Sequence, residues 1–200
     1  MFEYFETDDC PARVILTDDP LRLKMLAAHH LEDAALVYER GDSLVYFGRY
    51  EQAAIALAAV GFERGAVSEF IRGTKESAIL EVVYIGGCAG TTEKQALRTV
   101  ILAKGGSQRL IDHARTAAGQ HGIPVKISVV SPIGGAAPGC GGIADDVTGA
   151  LYEKARISGV EALSILTVSE NTLTGEKMEE HERRSRFYAA ARLVFETLNY

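Results

Sequence analysis

Length, composition and charge already restrict what this chain can be. Its 200 residues are 47% hydrophobic and 24% charged, which is typical of one globular domain and excludes a disordered or fibrous chain. We therefore interpret residues 1–200 as a single domain. A net charge of −6 without any Lys/Arg-rich run argues against nucleic acid as a partner, and the absence of a long apolar run argues against a membrane partner.

The first ten residues and the cysteines indicate the compartment. MFEYFETDDC lacks the basic-then-apolar order of a signal peptide. Cys10, Cys88 and Cys140 show no CxxC spacing, which favours reduced thiols over disulfides or a zinc site. We therefore expect a cytoplasmic protein with no metal site and no cofactor.

Predicted strands and helices alternate along the chain. Short apolar or β-branched runs predict strands, and amphipathic stretches predict helices where acidic residues, proline or glycine mark their ends. The strands are expected at 12–17, 43–50, 53–62, 80–90, 96–106, 125–132 and 161–169. The helices are expected at 18–34, 65–76, 107–122, 146–159 and 176–198, with a glycine-rich surface loop at 133–146. This order predicts an α/β fold, a three-layer α/β/α sandwich with a mixed central sheet.

Polar residues follow several of the predicted strands. In such folds ligands bind beyond the carboxyl ends of strands. Four groups stand at these ends: Asp18 and Asp19 with Arg22, Gly86 to Cys88, Asp145 with Asp146, and Ser169 to Asn171. An alternative remains for each group, since acidic residues before a helix are often only helix caps and paired glycines often only permit a tight turn.

Three motifs in order resemble a known family. They are DDPLRLKMLAAHHLEDA (18–34), VVYIGGCAG (82–90) and GALYEKARISGVEALSILTVSENTLTGEKMEEHERRSRF (149–187). They resemble the nucleoside phosphorylase superfamily, specifically its hexameric purine nucleoside phosphorylase branch, with its GDPLR, RVGSCG, VEMEAAGLY, TVSD and ERQ motifs. The resemblance covers most of the chain. It implies a phosphorylase-like fold, a nucleoside, base or sugar phosphate as ligand, and a homo-oligomer built from dimers.

The resemblance also implies roles for individual residues. Glu170 follows TVS, where the family's acid protonates the purine as its bond to ribose breaks, and Ser169 and Asn171 flank it as substrate-binding candidates. Cleavage leaves charge on the base nitrogen, so a proton donor there lowers the barrier. The alternative is that Glu170 caps the following turn, or pairs with Lys177 or an arginine of the terminal helix. Arg40 in YERGDS matches the arginine that reaches across the family's dimer interface.

The phosphate positions depart from the family pattern. Arg22 keeps the arginine of GDPLR, but Asp18 replaces the glycine that cradles phosphate, Tyr84 replaces the arginine of RVGSCG, and Gly87 replaces its serine. Because a charge-assisted hydrogen bond contributes roughly 1.5 to 3 kcal/mol, we expect phosphate binding to be weaker by about 10²- to 10³-fold. Arg64 restores the missing charge only if it turns inward.

The sugar position is changed as well. Val147 stands where the family has the glutamate that binds the ribose diol, and Asp145 or Asp146 substitutes for it only after a small shift. Both aspartates also suit a helix N-cap.

Two functions remain possible for the chain, since fold does not settle function. One is an enzyme that cleaves or exchanges the N-glycosidic bond, with phosphate or water as nucleophile, and the other is a non-catalytic ligand-binding or assembly subunit.

Overall fold

A computed structural model describes residues 10–61, 65–74, 78–133, 141–185 and 187–200. Its strands are β1 Arg13–Thr17, β2 Glu32–Arg40, β3 Ser43–Tyr50, β4 Ala53–Ala59, β5 Glu81–Gly90, β6 Val100–Ala103, β7 Val125–Ser128, β8 Val130–Ser131, β9 Ile143–Ala144 and β10 Glu161–Asn171. Its helices are α1 Pro20–His30, α2 Ala66–Gly73, α3 Gln108–Gln120, α4 Thr148–Ser158, α5 Glu180–Ser185 and α6 Tyr188–Leu198. Within these ranges no helix is both long and apolar enough to cross a membrane.

All ten strands belong to one mixed sheet. Its main order is β2-β3-β4-β1-β5-β10-β6-β7, and the short β9 pairs with β5 and β8. The central strands β4, β1, β5 and β10 are mutually parallel, whereas β2, β3 and β4 form an antiparallel meander. The carboxyl ends of the four parallel strands therefore lie at one edge of the sheet.

Two apolar layers cover the two faces of this sheet. Successive residues of β1 point in opposite directions, so Ile15 packs with α1, α3 and α6, while Val14 and Leu16 pack with α2 and α4. This alternation is the expected consequence of the two-residue period of a strand. It confirms the predicted three-layer α/β/α sandwich.

Two predicted helices differ from the observed elements. The stretch 18–34 is helical only to His30, because residues 32–40 pair with β3 as the strand β2. The predicted helix 176–198 divides into α5 and α6. Its first residues instead continue the hairpin after β10, where Met178 N–H donates to the Ser169 carbonyl at 2.8 Å and Glu176 accepts from Asn171 N–H at 2.8 Å. These backbone bonds exclude a helix there, because each group is already paired.

The packing of Tyr84 requires a glycine at position 86 in β5. Its side chain is buried, with 1% exposed, and its phenol lies along the strand over Gly86, where an added Cβ would collide with the hydroxyl oxygen. At Gly87 an added Cβ would lie 2.8 Å from Ser169 Oγ. Both glycines lie inside β5, so the tight-turn alternative is wrong and close packing is the reason for them.

We expect Gly86→Ala to lower the free energy of unfolding by about 1–3 kcal/mol, because a buried Tyr84 ring cannot move aside without strain. Gly119→Ala is the matched control: Gly119 lies in α3 with nothing within 4 Å of an added Cβ, and the change should stabilise the helix by about 0.5–1 kcal/mol. Urea unfolding measures both. A Gly86→Ala protein as stable as the unaltered chain would show that the phenol does not occupy this position.

Candidate functional site

A cleft of about 730 Å³ opens at the edge where the central parallel strands end. Its volume lies in the range of small-molecule pockets, and its position is the usual one for ligands in open α/β sheets. The predicted site residues that line it are Asp18, Arg22, Gly87, Asp145, Asp146, Ser169 and Glu170. Parallel pairing thus brings together candidates that are up to about 150 positions apart in sequence.

Arg22 is committed to contacts within the chain. Its Nη1 atom donates to Thr17 Oγ1 and to Asp18 Oδ1, both at 2.8 Å, and its Nη2 atom donates to the Arg183 carbonyl at 3.2 Å. The guanidinium also lies 4.6 Å from the centre of the Phe187 ring. Only 6% of the residue is exposed. Its Nε atom has no hydrogen-bond partner but is buried, so an incoming anion could not reach that donor without displacing neighbouring atoms.

Asp18 lines the cleft beside Arg22. Its side chain keeps 27% exposure while it pairs with Arg22. The neighbouring Tyr84 is a neutral phenol, because burial raises its pKa well above the ordinary value and the charges of Asp18 and Asp145 raise it further. A hydrogen bond to Asp18 adds to this effect. The carboxylate is therefore held by protein groups and still reaches the cleft.

Asp145 is a buried carboxylate at the start of α4. Its Oδ2 atom accepts a hydrogen bond from the backbone N–H of Thr148, the first residue of α4, at 2.7 Å, although the N-cap position itself is occupied by Val147. Burial raises the pKa of this carboxyl, hydrogen bonds with Thr148 oppose the rise, and the charge of Asp18 adds to it. Asp146 accepts from the backbone N–H of Ile133 at 2.7 Å. Both aspartates line the cleft.

Glu170 is placed by an irregularity in β10. The pairing of β10 with β5 shifts between Val168 and Glu170, so Ser169 is an extra residue, and bulges of this kind re-aim side chains beside functional sites. Ser169 Oγ donates to the Cys88 carbonyl at 3.3 Å. Glu170 Oε2 lies 2.9 Å from Lys177 Nζ across the hairpin. The alternative that Glu170 pairs with Lys177 is therefore the observed arrangement, although the carboxylate also lines the cleft.

The sequence interpretation missed the residues that α5 contributes. Glu180, Arg183 and Arg184 line the cleft, and Arg184 Nε lies 3.1 Å from Asp19 Oδ2. Asp19 is also the N-cap of α1 and accepts from Leu21 N–H at 2.8 Å. The sequence signal for these residues was the run ERRSR. It was missed because the prediction placed this run inside one long terminal helix, without the break that turns these arginines toward the strand ends.

Among the described residues, two predicted site residues do not line the cleft of their own chain. Asn171 is buried, and its amide nitrogen donates to the carbonyls of Thr92 and Gln95 at 2.9 and 3.1 Å. These bonds give Asn171 a structural role, and its role in substrate binding stays a prediction. Arg40 is exposed at the end of β2, outside the cleft. Arg64 lies outside the described residues.

The charge of the cleft opposes a free anion. Among the described lining residues there are six carboxylates and three guanidinium groups, a formal excess of three negative charges. Two of the three arginines are already paired, Arg22 with Asp18 and Arg184 with Asp19. A low-dielectric cleft strengthens such repulsion. Carboxylates in such a cleft can transfer protons and accept hydrogen bonds from hydroxyl groups.

Comparisons with known proteins agree with this geometry. No protein-family model matches the chain. A purine nucleoside phosphorylase of the DeoD type from Shewanella oneidensis is 30% identical, with 94% of each chain covered, and one from Bacillus subtilis is 28% identical, with 88% of each covered. The crystal structure of uridine phosphorylase from Vibrio fischeri superposes with a TM-score of 0.81 at 17% identity, covering 94% of this chain and 92% of that one. The chain therefore belongs to the nucleoside phosphorylase family.

Proposed function

We propose that the cleft cleaves the N-glycosidic bond of a nucleoside, with Glu170 as the proton donor to the leaving base. The observation that carries the proposal is the convergence of carboxylates from separate strand ends, Asp18 after β1, Asp145 after β9 and Glu170 in β10, on one cleft. The names of the relatives, purine nucleoside phosphorylase and uridine phosphorylase, support nucleosides as the substrate class.

The chemistry needs two kinds of group. Breaking the bond places negative charge on a base nitrogen and positive charge on the sugar, so an acid beside the base and carboxylates beside the sugar both stabilise the transition state. Glu170 serves the first purpose. Its partner Lys177 is 71% exposed, and an exposed ion pair of this kind contributes only about 0–1 kcal/mol. Opening the pair on substrate binding is therefore inexpensive.

Asp145 and Asp146 serve the second purpose. Carboxylate oxygens accept hydrogen bonds from hydroxyl groups, and both side chains line the cleft near the start of α4. Val147, which stands at the position of the family's ribose-binding glutamate, is also in the lining. We therefore assign the sugar to this side of the cleft, with the paired aspartates as acceptors.

A second function, ligand binding without catalysis, is favoured by one specific observation. Arg22 donates to Thr17, Asp18 and the Arg183 carbonyl, so most of its donors are directed at the chain itself. A protein of this kind would bind nucleosides or bases and leave them intact. Binding measured by calorimetry together with product analysis separates the two functions.

Glu170→Gln should lower the rate of base release by about 10²- to 10⁴-fold, because the amide cannot donate the required proton as an acid does. The assay incubates a panel of purine and pyrimidine nucleosides, with and without phosphate, and separates the free bases by chromatography. Glu153→Gln is the control, since Glu153 is an exposed carboxylate on α4 outside the cleft. Nucleoside binding without release of any base would favour the non-catalytic function.

We also propose that the protein forms a homodimer through residues 36–50. The strand β2 is the outermost strand of the sheet. Its Leu36 and Val37 are 46% and 40% exposed. An exposed edge strand with apolar side chains readily pairs with another chain. Arg40 ends this strand and would reach the cleft of the partner.

A shared site can be tested by complementation. If Arg40 completes the partner's cleft, Arg40→Ala and Glu170→Gln should each give inactive homodimers. Mixing equal amounts after subunit exchange should restore about a quarter of the unaltered rate, because half the dimers are mixed and each has one intact site. Light scattering reports the dimer. A strictly monomeric protein, or no recovery on mixing, would contradict the proposal.

The buried Asp145 carboxylate should lower the free energy of unfolding at neutral pH. Because its folded pKa is raised, the folded protein binds more protons than the unfolded chain above the ordinary value of 3.8, and stability is lost as pH rises through that window. Asp145→Asn keeps an acceptor for Thr148 and removes the charge, so we expect it to raise the free energy of unfolding at pH 7 and to lose this advantage near pH 4.

Urea unfolding at the two pH values measures the difference for Asp145→Asn. The exposed carboxylate of Asp112 on α3 provides the control, because Asp112→Asn should change stability little at either pH. A lower stability of Asp145→Asn at pH 7 would mean that the ionised carboxylate is favourable in its folded position.

A further inference from the structure

The proposed cleavage leaves the identity of the nucleophile open, and the contacts of Asp18 bear on it. An external anion such as phosphate needs unpaired donors at its binding site. Here Arg22 Nη1 already donates to a carboxylate of the same chain at 2.8 Å. Asp18 thus occupies, as a built-in anion, the place beside Arg22 that an anionic nucleophile would need.

The surrounding charges reinforce this exclusion. Asp145 lies close enough to interact with the charge of Asp18, and Arg184 is held by Asp19 at 3.1 Å. A phosphate that entered would meet both carboxylates, and Arg22 Nη1 would have to leave Asp18 to receive it. A neutral nucleophile meets no such barrier, and water is the neutral nucleophile always at hand.

Asp18 is also held as a general base requires. Its Oδ1 atom accepts from Arg22 at 2.8 Å and from the Thr17 hydroxyl at 3.4 Å, and these two bonds restrain the carboxylate. The side chain remains 27% exposed and lines the cleft. A fixed carboxylate with access to solvent can orient a water molecule and accept its proton.

We propose that Asp18 makes this protein a hydrolase, a nucleosidase in which Asp18 activates water in place of phosphate. The inference rests on the proposed N-glycosidic cleavage. The water oxygen forms a bond to the anomeric carbon as the bond from that carbon to the base nitrogen breaks. The water proton passes to Asp18, and Glu170, which takes up a proton from solvent once its ion pair with Lys177 opens, gives that proton to the departing nitrogen. The products are the free base and the free sugar, and solvent returns both carboxyl groups to their starting states.

The first test is the sugar product and the dependence of the rate on phosphate. With the nucleoside that is cleaved best, base release should be independent of phosphate concentration, and the sugar should be free pentose, identified by chromatography. Phosphorus NMR should show no sugar 1-phosphate. Base release that requires phosphate and yields a sugar 1-phosphate would overturn this inference and leave the proposed cleavage intact. No base release under any condition would overturn both.

Two substitutions of Asp18 separate a base from a structural role. Asp18→Asn keeps the shape and should lower phosphate-independent release by about 10²- to 10⁴-fold. Asp18→Gly removes the built-in anion and frees Arg22, so phosphate should now accelerate base release and bind detectably by calorimetry. A merely structural residue would not produce this gain of phosphate dependence.

Controls keep the result decisive. Asp112→Asn removes an exposed carboxylate remote from the cleft and should leave the phosphate-independent rate unchanged. Circular dichroism and thermal unfolding establish that the Asp18 variants are folded. If neither variant folds, phosphate titration of the unaltered protein still tests the proposal. Tight binding of phosphate to the unaltered protein would contradict a phosphate position that is filled by Asp18. Full hydrolysis by Asp18→Asn would likewise overturn the role of Asp18.

Discussion

Parallel pairing of β1, β5 and β10 is the constraint on which the site depends. Their registers align Leu16 with Tyr84 and Tyr84 with Ser164, so the residues that follow each strand emerge at one edge of the sheet. The bulge at Ser169 then re-aims the end of β10. Without this shared edge, Asp18 and Glu170 would be unrelated polar residues at the ends of separate strands.

The cleft at this edge carries an excess of carboxylates over guanidinium groups. The ion pair between Asp18 and Arg22 neutralises the arginine from inside the chain, and the Asp145 carboxyl is buried although burial disfavours its charge. Proteins seldom bury carboxylates without a functional reason. The relatives are named as phosphorylases, and the carboxylates described above line the cleft.

Much of the fold was predictable because its signals are local. The apolar run of β5 and the amphipathic helix α3 follow from residue periodicity, and Asp19 with Pro20 marks the start of α1. The strand β2 was not predictable in this way, since residues 32–40 have ordinary helix-forming composition and became a strand by pairing with β3. The break before α5 likewise depends on backbone bonds to β10.

The sequence alone determined the family, the layered architecture and most of the residues at the strand ends, because motif order and periodicity are properties of neighbouring residues. Only the tertiary structure decided what those residues contact. Asn171 turned inward to the carbonyls of Thr92 and Gln95, Glu170 met Lys177, and Arg184 reached Asp19 from a distant helix. Such pairings depend on where strand ends meet in space, and their strength depends on burial, which no local pattern records.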